Sequence, residues 1–153
     1  TVPCGISITS HQPGGLLTGA TPDGRKAGTL LADGTMSPMQ GMDTHGPLAV
    51  MQSAMKVDQD PFQATLLNMK FPQEAVAGVE GRDNLVDFID AYLAKGAMHV
   101  QFNIMSSETM KAAQKHPENY KDMLVRVAGY SAYFVELGKA LQKDLIQRSE
   151  LHF

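Results

Sequence analysis

The 153 residues carry 13 Lys and Arg against 16 Asp and Glu, a formal charge of −3, and 43% of them are hydrophobic, which fits one globular domain and not a disordered tail. No Lys/Arg-rich cluster occurs, so nucleic acid and anionic membrane are poor partners, and no apolar run reaches the roughly 18 to 20 residues of a membrane span. The N-terminus shows no signal pattern and the single cysteine, Cys4, cannot close an internal disulfide; both features point to a reducing, cytoplasmic setting.

The chain starts Thr1-Val2-Pro3-Cys4 without an initiating methionine, and Gly5 to Ser10 alternates as a strand does, so it reads as opening inside folded structure, as a processed product or one piece of a larger assembly would. His11 to Gly15 and Thr18 to Arg25 read as turn-rich segments, with a tight turn at Pro22-Asp23-Gly24 and with Asp23 and Arg25 as surface or interface charges. Loop continues through Ala32-Asp33-Gly34 and Pro38 to Gly41 as far as about Gly46. So long a stretch without periodicity indicates a functional loop or a surface pressed onto other protein.

Pro47 stands where a first helical residue would, and Leu48, Met51 and Met55 share one predicted face. Ala64 to Phe71 reads as a strand ended by Pro72. After a Gly78 to Gly81 link, Leu85, Phe88, Ile89, Tyr92 and Leu93 form the clearest helix pattern, capped by Asp83 or Asn84 and ended by Lys95-Gly96. Met98 to Met105 alternates without a break, placing His99, Gln101 and Asn103 on a polar face that is either exposed or lines a cavity. Ser106 or Ser107 caps a short helix that His116-Pro117 stops, and Pro117 opens a further turn through Leu124. Leu124, Val125 and Val127 then lead through Ala128-Gly129 into a helical pattern at Phe134, Leu137, Leu141 and Leu145, with Gly129 as the hinge between strand and helix. The whole divides into a strand and docking region (1–46), a helix-strand-helix region (47–97) and a strand, glycine loop and C-terminal helix (98–153), all within a single domain.

Familiar chemical signatures are few. The five histidines have neither an i, i+4 partner nor a cysteine at zinc spacing, no glycine-rich phosphate loop precedes a helix, and no serine sits in a nucleophile elbow. The ten methionines are scattered as core fillers.

The stretch Arg126-Val127-Ala128-Gly129-Tyr130-Ser131-Ala132-Tyr133-Phe134 resembles the R-V-x-G-[YF]-x-x-x-F signature of glycyl radical enzymes, followed at the family's spacing by Gln142 and by Ile146-Gln147-Arg148-Ser149. Collinear matches lie upstream at Ala20 to Arg25, Gly46-Pro47, Leu67 to Phe71, His99 to Asn103 and Gln114 to Tyr120, so the resemblance covers essentially the whole chain. Two positions depart from the family: Gly96-Ala97 where two glycines are usual, and Ser149 where threonine is. The forms of His99 to Asn103 and of Val127 to Ala132 favour the lyase, dehydratase and decarboxylase branch over pyruvate formate-lyase.

The resemblance implies a fold and a chemistry. The family's α/β barrel has ten strands in two halves around its cysteine and glycine loops; this chain would supply the last strands, the central glycine loop and the covering helices, incomplete without a partner. Gly129 would carry the radical, with Arg126, Val127, Ala128, Tyr130, Ser131 and Phe134 supporting its loop. Delocalisation into both flanking amides needs a nearly planar Cα, which a Cβ would crowd, so the missing side chain is the functional property. The apolar Val127, Ala128, Tyr130 and Phe134 are expected to bury it. No cofactor is expected to be bound: an iron–sulfur activase using S-adenosylmethionine would install the radical, which then draws a hydrogen from a cysteine. Cys4 is not given that role and reads as a small buried residue at a strand end, so the thiol and the substrate pocket are expected on a large subunit or upstream portion. A stand-alone replacement domain for an oxygen-damaged enzyme, and a non-catalytic module of the same fold, are the other readings; the retained Thr21 to Arg25 segment and the intact Arg126 to Phe134 disfavour them.

Overall fold

The structure, a computed structural model, describes residues 10–127 and 130–149. Positions 5–9 of the expected first strand, Cys4, Ala128 and Gly129 lie outside the described residues, as do the side chains of Gln147, Arg148 and Ser149. The elements are α1 (His11–Leu17), α2 (Gly46–Ala54), β1 (Leu67–Phe71), α3 (Gly78–Ala94), β2 (Val100–Ile104), α4 (Ser107–Lys115), β3 (Leu124–Arg126), β4 (Ser131–Tyr133) and α5 (Lys139–Ser149). β1 and β2 pair in parallel from Leu67↔Val100 to Phe71↔Ile104, with α3 as the crossover that a parallel pair requires. β3 and β4 form an antiparallel hairpin. The described residues are therefore an α/β assembly of two small sheets, and no barrel closes among them.

Two apolar cores follow from this arrangement. The first gathers Met51 and Ala54 of α2, Leu67, Met69 and Phe71 of β1, and Phe88 and Tyr92 of α3. Phe71 meets Phe88 edge to face at 5.9 Å and Phe102 of β2 at 5.8 Å, an aromatic arrangement that adds to simple burial. The second lies under the hairpin and joins Met110 and Ala113 of α4, Val125, Val127 and Phe134, and Leu145 and Ile146 of α5.

Several sequence expectations change. His11 to Leu17 is a helix and not a turn: Pro13 falls in the first turn, where its missing N–H costs nothing, and Gly15 lets α1 lie against residues 29–31. A Cβ on Gly15 would collide with the Thr29 carbonyl oxygen and stand 2.7 Å from Leu30 Cα. In α2, Leu48 is 59% exposed and Met51 with Ala54 faces the core instead. α3 starts at Gly78, with Ala77 in the cap position and no side-chain cap, because Gly78 takes φ +73° and Gly81 allows the first turn to meet Val76, whose carbonyl carbon would stand 2.7 Å from a Cβ. Its Leu93 is exposed while Phe88 and Tyr92 are buried, and it ends as expected at Lys95-Gly96, where Gly96 has φ +88°. α4 has the expected cap, Ser106 Oγ accepting from Thr109 N–H at 3.4 Å, with Glu108 and Lys115 at the ends that suit the helix dipole. His116-Pro117 stops α4, and the turn that Pro117 opens reaches only Asn119.

The long loop is partly fastened to its own chain. Met36 N–H donates to the Leu66 carbonyl at 2.9 Å, Asn68 N–H to Ser37 Oγ at 2.9 Å, and Asn68 Nδ2 to the Asp33 carbonyl at 2.9 Å. Residues 33–37 thus fasten the start of the outer edge of β1, at the Leu66 carbonyl and the Asn68 N–H.

Candidate functional site

The expected passage from strand to helix through Gly129 is a hairpin instead. Ser131 to Tyr133 return as β4, pairing Leu124↔Tyr133, Val125↔Ala132 and Arg126↔Ser131; Phe134 to Glu136 make a 3-10 turn, and α5 starts only at Lys139. The apolar positions at Phe134 and Leu137 mimic a helix period because they pack on the same core that α5 joins. Val127 N–H donates to the Tyr130 carbonyl at 2.9 Å, so the hairpin frame is closed on both sides of Ala128 and Gly129.

Strand alternation sorts the candidate residues. On the inner face, Val125, Val127 and Phe134 are 2%, 3% and 0% exposed. Phe134 is fixed by more than packing: its N–H donates to the Met123 carbonyl at 2.8 Å, and its carbonyl accepts from Gln142 Nε2 at 2.8 Å. Gln142, buried on α5, in turn accepts from Gln114 Nε2 of α4 at 3.4 Å. Tyr130 departs from expectation. It is exposed, as are Leu124 and Tyr133, so among the described residues of the expected apolar group only Val127 and Phe134 are shielded.

Arg126 ties the hairpin to the other sheet. Its Nε donates to Gln101 Oε1 at 3.2 Å, its Nη1 donates to Ser131 Oγ at 3.3 Å, and its carbonyl accepts from Asn103 Nδ2 at 2.5 Å. The polar face of β2 is therefore turned toward β3. His99, largely exposed at the start of this face, has its pKa held below the ordinary histidine range by partial burial and then by the positive charge of Arg126.

Arg25 is not a surface charge. It is buried, and its guanidinium donates to the carbonyls of Thr29 at 2.6 Å, Thr18 at 3.1 Å and Gly19, drawing the 18–29 loop around itself. Asp23 stays exposed, its carboxyl pKa lowered mainly by the hydroxyl of Thr21. Neither residue joins the hairpin. Gln101, Asn103 and Gln114 are the partners that spacing alone did not assign: alternation marked the first two as polar, but their target lies more than twenty residues further along the chain. Among the described residues, no three His, Cys, Asp or Glu side chains are placed to hold a metal ion, and no helix is long and apolar enough to cross a membrane.

The hairpin is thus fixed at the described residues on both sides of positions 128 and 129, with Gln142 bonded behind Phe134. The glycine radical family matches residues 32–135, and the chain belongs to that family, in its dehydratase, decarboxylase and lyase branch. It is 62% identical over 152 aligned residues to a (2S)-3-sulfopropanediol dehydratase of Klebsiella oxytoca, covering 96% of this chain and 18% of that protein. It is 44% identical over 148 residues to a 4-hydroxyphenylacetate decarboxylase glycyl radical subunit of Clostridioides difficile, covering 97% of this chain and 16% of the other. In structure it matches the glycerol-bound B12-independent glycerol dehydratase of Clostridium butyricum with a TM-score of 0.86 and 47% identity, over 90% of this chain and 18% of that one. The chain thus spans less than a fifth of the length of these relatives.

Proposed function

We propose that this chain is the glycyl-radical portion of a lyase-type enzyme, storing an unpaired electron on Gly129 Cα. The observation that carries the reading is the hairpin neck: the family's signature falls where Arg126↔Ser131 and the Val127 to Tyr130 hydrogen bond fix the backbone on either side of Ala128-Gly129. Val127 and Phe134 support the loop from a dry core, Arg126 and Ser131 hold its neck, and Ala128 and Tyr130 flank the glycine.

In use, the Gly129 radical takes a hydrogen atom from a thiol S–H, restoring its Cα–H bond and leaving a thiyl radical. That thiyl takes a hydrogen atom from a small organic substrate and so starts the cleavage of a C–C or C–X bond. The thiol and substrate pocket belong to a large portion that this chain meets through residues 1–46 and the outer hairpin face. Support for such a surface comes from Leu16 and Leu17 at 69% and 90% exposure and from Leu124 at 56%. The radical is installed by an iron–sulfur activase using S-adenosylmethionine, in the cytoplasm of an anaerobic cell.

The test is anaerobic activation of the chain with its large portion, followed by electron paramagnetic resonance. A doublet is expected for the native sequence and none for Gly129→Ala. No doublet, or one that persists in Gly129→Ala, overturns the assignment.

A further inference from the structure

We propose that Gln101 and Asn103 of β2 are positioning residues for the radical loop, acting through Arg126; the inference rests on Gly129 being the radical site. The two side chains leave β2 on the same face and reach different parts of one residue, Gln101 the guanidinium and Asn103 the backbone carbonyl. Arg126 passes the restraint across the hairpin to its register partner Ser131, and the next bond inward is Val127 N–H to the Tyr130 carbonyl. Gln101 is itself buried and belongs to a strand paired in parallel with β1, so the fixed point of this clamp is the first core and not the hairpin.

The clamp serves a geometric requirement. Hydrogen-atom transfer between thiol and Cα depends on contact distance and alignment, and small displacements of reacting atoms cost large factors in rate. A hairpin with only three paired positions does not resist sliding or twisting by itself. Holding the Arg126 peptide from outside the hairpin fixes where the loop begins, while Val127 and Phe134 anchor the hairpin in the second core.

The experiment uses the chain assembled with its large portion and two independent readouts: exchange of the Val127 amide hydrogen without activation, and turnover per radical spin after activation. Gln101→Ala and Asn103→Ala are expected to speed Val127 exchange about tenfold and to lower kcat per spin about tenfold, with KM unchanged, as fits the loss of a hydrogen bond to a charged or firmly held group. Gln101→Glu keeps an acceptor for Arg126 and is expected to restore both readouts to within about twofold of native. If an alanine variant does not fold, Arg126→Lys, which keeps the charge and loses the forked donors, is read in the same way. Unchanged Val127 exchange in these variants, or equal damage from Gln101→Glu and Gln101→Ala, overturns the clamp. Absence of a doublet in the native protein overturns the radical assignment instead, and the clamp is then judged on amide exchange alone.

Discussion

The two cores of this chain bury similar residue types to different ends. The first, built on Phe71, Phe88 and Tyr92, joins helices to the parallel strands and holds the edge that Asp33 to Ser37 cover. The second, built on Val125, Val127 and Phe134, lies under the β3–β4 hairpin, and its central residue Phe134 has both backbone groups fixed. Damage to the first should unfold the scaffold; damage to the second should also, under the proposed function, misplace the radical-bearing atom. The polar bridge from Gln101 and Asn103 to Arg126 is where one core acts on the other.

The contrast is tested most severely by truncating one aromatic in each core. Phe134→Ala and Phe88→Ala should each cost about 3–5 kcal/mol in denaturant unfolding. Only Phe134→Ala should also reduce turnover per spin in molecules that remain folded; equal losses of turnover from the two variants would erase the distinction. Gly15→Ala touches neither core but forces α1 away from Thr29, and a loss of about 1–3 kcal/mol with native turnover per spin is expected, measured by the same unfolding. Arg25→Ala should cost about 1–3 kcal/mol and speed proteolysis within residues 18–29, because it frees three carbonyls that the guanidinium now holds.

The smallest effect concerns His99. Its lowered pKa means that the folded chain binds a proton there less readily than the unfolded chain, so its contribution is present above the ordinary value of about 6.5 and is lost as pH falls through the lower folded value. His99→Asn should remove that part of the pH dependence in thermal melts, and an unaltered profile would show that neither partial burial nor the Arg126 charge lowers the His99 pKa.

What was legible in the sequence follows the range of the forces involved. α4 could be read with its cap and its stop because Ser106, Glu108 and His116-Pro117 act within one or two turns. β1, β2 and the Gly96 end of α3 were legible for the same reason. The β3–β4 hairpin was not: Phe134 and Leu137 continue the spacing of Leu141 and Leu145, and only their packing against Met110 and Val125 separates a turn from a helix. α1 was hidden by Pro13-Gly14-Gly15, whose turn-like composition serves a close approach to residues 29–31 that no local pattern reveals. At the candidate site, Arg126, Val127 and Phe134 could be named from the motif, whereas the inward or outward sense of Tyr130 depends on hairpin register, and the target of Gln101 depends on how two sheets meet.

The bonds that stitch β4 to β3 and α5 to the second core also bear on breakage. If oxygen cuts the backbone at Gly129, the piece that begins at Tyr130 is still gripped through Ser131, Phe134, Leu145 and Ile146. Severed at that point, the chain should therefore travel as one particle under native conditions and separate into two pieces only when denatured.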